Sequence, residues 1–192
     1  MKALEEKIVE CGKVYPGNIL KVDSFLNHQI DVDILDKIGQ AFYEKYKNKD
    51  ITKILTIEAS GIAIACFAAK YFHVPVVFAK KSKSLNIGKD VFVSRISSYT
   101  YNKEYDATIS REFLNSNDNV LIIDDFIAIG NAMKGLIEIC NQAGANICGI
   151  GICIEKGFQH GGDDLRKMGY DLTSLAIIDN MTDDGQIFFR EQ

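Results

Sequence analysis

The run Val120-Leu121-Ile122-Ile123 constrains this chain more than any other stretch, because it is apolar at every position. A strand with one wet face alternates polar and apolar residues. A strand apolar throughout has to be covered on both sides, as in a parallel sheet lying between two layers of helices. The surrounding segments supply those layers. An amphipathic helix is expected over about 2–11, ended by Gly12, and an irregular stretch through Pro16-Gly17 leads into the extended piece Ile19-Leu20-Lys21-Val22. A second helix is expected over about 31–47, with Asp31 as N-cap and Ile34, Leu35, Ile38, Ala41 and Phe42 along one face. A strand at 52–57 then leads to a helix at 62–72 and a strand at 75–79. A strand at 120–123 leads to a helix at 131–143, stopped by Gly144, and strands at 147–154 and 174–179 flank a short helix near 162–168. This β-α-β order predicts an α/β fold, an open and mostly parallel twisted sheet flanked by helices.

At 192 residues, 47% hydrophobic and 25% charged, the chain is long enough to bury a real core. Two prolines, no low-complexity run and no internal repeat leave no interdomain linker, so 1–192 is expected to be a single domain. A formal charge of −4 spread along the sequence argues against a nucleic-acid surface, which concentrates basic residues on one face. No apolar run reaches membrane-spanning length, and Met1-Lys2-Ala3-Leu4-Glu5-Glu6-Lys7 is too charged for a secretory leader. The five cysteines, Cys11, Cys66, Cys140, Cys148 and Cys153, include no CxxC pair and no zinc-ligand spacing, and read as buried thiols of a reducing compartment. The expectation is a cytoplasmic protein with no membrane and no nucleic-acid partner.

In open parallel sheets ligands sit beyond the carboxyl ends of the strands, and three segments fall there. In the first, the apolar run meets Asp124-Asp125, followed by Phe126-Ile127 and the small-residue turn Ala128-Ile129-Gly130-Asn131-Ala132 that opens a helix. Such a turn can aim several backbone N–H groups at one point at a helix N-terminus, where a phosphate is favoured, with carboxylates beside it for sugar hydroxyls. The second is Glu58-Ala59-Ser60-Gly61, whose small residues let the backbone approach an anion; taken alone, it reads more readily as a capped β-α turn. The third is Glu155-Lys156-Gly157-Phe158-Gln159, where a cation and an aromatic ring at the sheet's rim can meet a planar base by donation and stacking.

The first segment resembles the phosphoribosyl diphosphate signature of the type I phosphoribosyltransferases: aliphatic residues, two acids, then a turn that cups the 5′-phosphate. The likeness extends over nearly the whole chain to the bacterial xanthine phosphoribosyltransferases. Its further pieces are residues 20–30 (LKVDSFLNHQI), 55–62 (LTIEASGI), Phe78-Ala79-Lys80-Lys81 and 149–159 (GIGICIEKGFQ). The resemblance implies a purine-salvage glycosyltransferase that makes xanthosine 5′-monophosphate and diphosphate from xanthine and phosphoribosyl diphosphate. It implies that Asp124 and Asp125 bind the ribose hydroxyls and are the catalytic pair, and that Ala128, Ile129, Gly130, Asn131 and Ala132 hold the 5′-phosphate. Ala59, Ser60 and Gly61 would form the diphosphate loop, with Lys81 reaching the diphosphate across a homodimer interface. Leu20, Asn27 and Lys156 would contact the base, and Phe158 would stack on it. Residues 1–47 would belong to an N-terminal hood and 80–103, with Lys80, Lys81, Lys83, Lys89, Arg95 and Lys103, to a mobile loop often built as two antiparallel strands. Magnesium would travel with the diphosphate of the substrate, and no metal site of the protein's own is implied.

Most type I enzymes carry Thr or Ser after the loop glycine, where this chain has Asn131-Ala132. Losing that hydroxyl removes a phosphate hydrogen bond worth about 1.5–3 kcal/mol; the xanthine branch lacks it too. Xanthine carries carbonyl oxygens at positions 2 and 6, which suits a pocket of donors. Adenine would leave those donors unpaired, whereas guanine and hypoxanthine stay open as alternative substrates. A non-catalytic purine-responsive regulator of the same fold is a second alternative, although 1–47 is too short and too acidic for the winged-helix domain such regulators carry. A dinucleotide-binding fold fits worst, because no GxGxxG follows the first strand.

Overall fold

The first helix, α1 (Lys2–Cys11), ends at Gly12 and is followed by a hairpin of β1 (Lys13–Tyr15) and β2 (Ile19–Lys21). A computed structural model describes residues 1–82, 90–98, 103–182 and 184–191. A π-type turn, Asp23–Asn27, leads to α2 (Val32–Tyr46), whose N-cap Asp31 accepts hydrogen bonds from the Asp33 and Ile34 amides at 3.2 and 3.3 Å. Then follow β3 (Lys53–Ile57), α3 (Ser60–Phe72), β4 (Val76–Ser82), β5 (Val91–Ser98) and β6 (Lys103–Ser110). The chain closes with β7 (Asn119–Ile127), α4 (Asn131–Ala143), β8 (Asn146–Lys156), α5 (Gly161–Lys167), β9 (Leu172–Met181) and β10 (Ile187–Phe189). Gly130 and Gly144 bracket α4 with φ of 87° and 71°, the left-handed region that a residue with a Cβ avoids.

The sheet order is β10-β9-β8-β7-β3-β4-β6-β5. The five inner strands from β9 to β4 run parallel, while β10, β6 and β5 add antiparallel edges. Along β7, Leu121 and Ile123 enter the core beneath α1, α2 and α3, and Val120 and Ile122 enter the one beneath α4. Both faces are therefore covered, as the unbroken apolar run requires. Each such side chain contributes about 1.5–3 kcal/mol by leaving water. On β8, the rings of Phe42 and Tyr46 press against Gly151 and Gly149, where no Cβ would fit, and the buried Tyr46 hydroxyl donates to the carbonyls of Ile150 (2.8 Å) and Asp171 (3.1 Å). Thus α2, at the end of the expected hood segment 1–47, is packed on the sheet.

Several expectations need correction. Strand β7 runs on through Asp124 and Asp125 to Ile127, so the acids belong to the strand and not to a loop beyond it; pairing with β8 continues as far as Glu155. Strand β4 likewise carries Lys80 and Lys81, because their backbone pairs with β6 at Thr108 and Ala107. Helix α3 starts two residues earlier than expected, at Ser60. Much of 80–103 is strand: β5 buries Phe92, Ser94 and Ile96 and exposes Arg95 and Ser97, a period of two hidden among polar residues. Residues 83–89 and 99–102, with Lys83 and Lys89, lie outside the described residues. Of the five thiols only Cys140 and Cys153 are buried; Cys11 and Cys148 are half-buried, and Cys66 is exposed on the outer stripe of α3.

Candidate active site

Four strands bring their carboxyl ends to one corner. From β7 comes Asp124, 5% exposed, with its Oδ1 accepting the Asp125 amide at 3.0 Å, while the Asp125 carboxylate accepts the Phe126 amide at 2.9 Å. Burial, and then the neighbouring Asp125 carboxylate, push the Asp124 carboxyl well above the usual range, against the pull of the Lys81 ammonium. Burial and the same two acids push up the Cys153 thiol beneath them, leaving it a poor nucleophile. Asp124 is thus a buried carboxyl whose ionised form is costly beside Asp125.

The turn after β7 faces a cavity of about 160 Å³ lined by Ser97, Tyr105, Ala128, Gly130, Asn131 and Met133, among others. Its backbone is held from behind, where the Gly161 amide donates to the Ala128 carbonyl at 3.0 Å. A Cβ on Gly161 would collide with Ala128, Ile129 and Gly130, so this close approach requires glycine. The Asn131 side chain donates to the Ser97 carbonyl at 2.9 Å, tying the turn to β5. What the turn offers an anion is therefore backbone N–H groups at the start of α4.

From β3 and α3 comes the second segment. The Glu58 amide donates to the Ala79 carbonyl (3.1 Å), and its carboxylate accepts the Lys81 amide (2.5 Å), which pins the segment to β4. Ala59 is exposed and Ser60 half-buried at the start of α3. Gly61 lies against the Thr56 hydroxyl, and a Cβ there would be 3.0 Å from Asp124 Oδ1, so this segment and the acid touch. Among the described residues, the buried Thr56 Oγ1 has no hydrogen-bond partner. The exposed Lys81 places its Nζ 5.3 Å from the centre of the Tyr105 ring of the same chain.

The third group is more dispersed. Lys156, the last residue of β8, donates to the Asn18 carbonyl in the β1–β2 turn at 2.9 Å, and burial lowers its pKa. Phe158 is half-buried against the core that holds Leu20 and Leu26. Leu20 is 7% exposed and gives most of its surface to that core, whereas Asn27 ends the π-type turn with a buried Oδ1 that lacks a hydrogen-bond partner among the described residues. Among the described residues no hydrogen bond joins Asn27 to Lys156. Sequence reasoning missed Thr56, Tyr105 and Gly161 as parts of this corner; the pair Gly161-Gly162 just after the aromatic segment was the available signal. A larger groove of about 620 Å³, bounded by Val76, Phe78, Val91, Ile109 and Phe113, opens at the amino end of β4 and shares no residue with the three segments.

The sequence profile of the phosphoribosyl transferase domain matches residues 21–181. A xanthine phosphoribosyltransferase of Bifidobacterium adolescentis is 56% identical over 192 residues, covering 99% of this chain and 100% of that one. One of Lachnoclostridium phytofermentans is 54% identical over 191 residues, covering 99% and 98%. Among solved structures, the APRTase of Giardia lamblia complexed with 9-deazaadenine superposes with a TM-score of 0.76 at 22% identity, covering 91% of this chain and 96% of that one. At that identity the likeness speaks for the fold alone.

Proposed function

The chain belongs to the phosphoribosyl transferase family, and from that premise we propose that it is a purine-salvage enzyme transferring the phosphoribosyl group of phosphoribosyl diphosphate to xanthine. The products are xanthosine 5′-monophosphate and diphosphate. What supports this reading is that Gly61 lies against Asp124 on the strand leading into the 128–132 turn, while the Gly161 that backs this turn follows Lys156 and Phe158 by a few residues.

In the reaction the C1′–oxygen bond to diphosphate breaks, a ring nitrogen of the base bonds to C1′ from the opposite face, and that nitrogen's proton is released. Positive charge grows on the ribose ring between these events. Asp124, buried beside a second carboxylate, gains most from a cation next to it, so its stabilisation grows as the transition state forms. Asp125 takes ribose hydroxyls on the same rim. The 128–132 backbone fixes the 5′-phosphate, and Ala59, Ser60, Gly61 and Lys81 receive the departing diphosphate. At the base, Lys156 donates to a xanthine carbonyl, Phe158 stacks, and Asn27 and the edge of Leu20 close the pocket. Magnesium brought in on the diphosphate of the substrate would lower the charge of that leaving group.

The working form is a cytoplasmic homodimer in which Lys81 also serves the neighbouring subunit. Phe78 (37% exposed) and Phe113 (52% exposed) support this, as uncovered apolar rings, the first on the strand that carries Lys81 and the second lining the same groove. Among the described residues no helix is long and apolar enough to cross a membrane. The test is incubation with labelled phosphoribosyl diphosphate, magnesium and each purine in turn, with and without Asp124→Asn/Asp125→Asn. Nucleotide formed fastest with xanthine, and lost by orders of magnitude in the folded double variant, is the expected result. Faster turnover with guanine or hypoxanthine would move the specificity, and binding without turnover would make the protein a regulator.

A further inference from the structure

Residues 156–162 form a strap that touches both halves of the site. At one end Lys156 reaches the Asn18 carbonyl and Phe158 lies against the core beneath the β1–β2 hairpin. At the other end the Gly161 amide holds the Ala128 carbonyl, with its Cα packed on the turn at Gly130. Between them lie the 3-10 turn Gly157–Gln159 and His160, whose φ of 62° reverses the chain.

Behind the strap is a charge cluster that the chemistry above does not use. The Glu155 carboxylate, 0% exposed, accepts two hydrogen bonds from the Arg166 fork, at 3.0 and 2.6 Å, and one from the Ser174 hydroxyl. Gly162 is pressed so closely on this carboxylate that a side chain there would overlap it. Arg166 also donates to Asp163 (3.1 Å) and to the Leu172 carbonyl (3.2 Å), and Asp163 is shared with Arg190, which pairs with Asp179. A buried ion pair is a poor source of stability, because desolvation offsets its attraction and apolar residues would serve as well. A bidentate fork does fix distance and direction together. Here it fixes the residue before Lys156 against the helix that begins at Gly161.

We infer that the Glu155–Arg166 fork is a positioning unit that couples the base site to the 5′-phosphate turn, by holding 156–162 as one rigid piece. Occupation of either end then orders the other. The inference rests on the reading that Lys156 and Phe158 meet the base while 128–132 hold the phosphate.

The test is calorimetric titration of ribose 5-phosphate with and without saturating xanthine, and the reciprocal titration. In the unaltered protein each ligand is expected to tighten the other by the same factor, of about fivefold or more. In Glu155→Gln/Arg166→Met, which removes both charges so that neither is stranded in the core, each ligand alone should bind within about threefold of normal while the mutual factor falls to about one. Gly162→Ala, which displaces the carboxylate without removing it, carries the same expectation should the double variant not fold. A mutual factor left at its original value in a folded variant, or a factor of one in the unaltered protein, would overturn the coupling. Failure of the unaltered protein to bind either ligand would instead overturn the functional reading beneath it.

Discussion

Replacing Gly161 by alanine tests the phosphate turn from behind, with no change to any group proposed to touch substrate. The added methyl would lie 2.6 Å from the Ile129 carbonyl carbon and 2.8 Å from the Gly130 nitrogen, and closer still to the Ala128 oxygen. Ordinary contact begins near 3.4 Å, so the two backbones must part by about 0.6–1.1 Å. All three obstacles are main chain, so no side chain can swing aside. Overpacking of this kind costs about 1–3 kcal/mol. For a chain of this length that lowers Tm by about 3–10 °C. The catalytic cost is larger, because displacing a reacting group by about 1 Å can cost about a hundredfold. The expected outcome is a folded variant whose kcat/KM for phosphoribosyl diphosphate falls about 10- to 100-fold, with more of the loss in that substrate's KM than in the KM for xanthine. Initial rates over a matrix of both substrates, together with a thermal melt, provide the measurement. A folded Gly161→Ala with unaltered kinetics toward phosphoribosyl diphosphate would refute the placement of the 5′-phosphate on this turn.

Three further outcomes follow from the same geometry. Because burial and Asp125 raise the Asp124 pKa, the folded state binds more protons than the unfolded state between the ordinary carboxylate range, about pH 4, and the raised value. Stability contributed at this site therefore falls as pH rises through that window. Asp124→Asn should melt higher than the unaltered protein above the window and converge with it near pH 4, and parallel melts that stay equally spaced at all pH values would contradict this. Lys156→Met removes a charged donor worth about 1.5–3 kcal/mol, so the KM for xanthine should rise about 10- to 150-fold in steady-state rates; an unchanged value removes Lys156 from the base site. Tyr46→Phe deletes a buried hydroxyl shared by two carbonyls, in a phenol whose pKa burial pushes up to about 12. It should lower stability in urea by about 1–2 kcal/mol and leave kcat alone, since the ring packs on Gly149 near the amino end of β8, whereas Lys156 stands at its carboxyl end; a fall in kcat without loss of stability would be inconsistent with a purely structural ring.

Local rules of the chain made the scaffold readable in advance. The run 120–123 had no polar position to turn toward water, Asp31 could cap a helix from its own side chain, and Gly130 and Gly144 supplied the left-handed bends at the ends of α4. Each of the three rim segments was legible because its chemistry lies in one continuous stretch. The outer strands were not. Buried Ser94 hydrogen-bonds to Glu138 on α4, and the β5 edge at Val93 is met by the Gln142 side chain, so polar residues occupy inward positions that a hydrophobic pattern would leave outside.

The amino-acid order alone therefore determined the covered parallel sheet and the presence of acids, small-residue turns and a cation at the carboxyl ends of its strands, because periodicity, caps and turn residues act between near neighbours. Only the tertiary structure decided how those pieces meet. Gly161 backs the Ala128 carbonyl, Gly61 abuts Asp124, Lys81 lies over Tyr105, and Glu155 grips Arg166. Those contacts depend on strand order and on helices folding back across the sheet, which bring together residues that no local spacing relates.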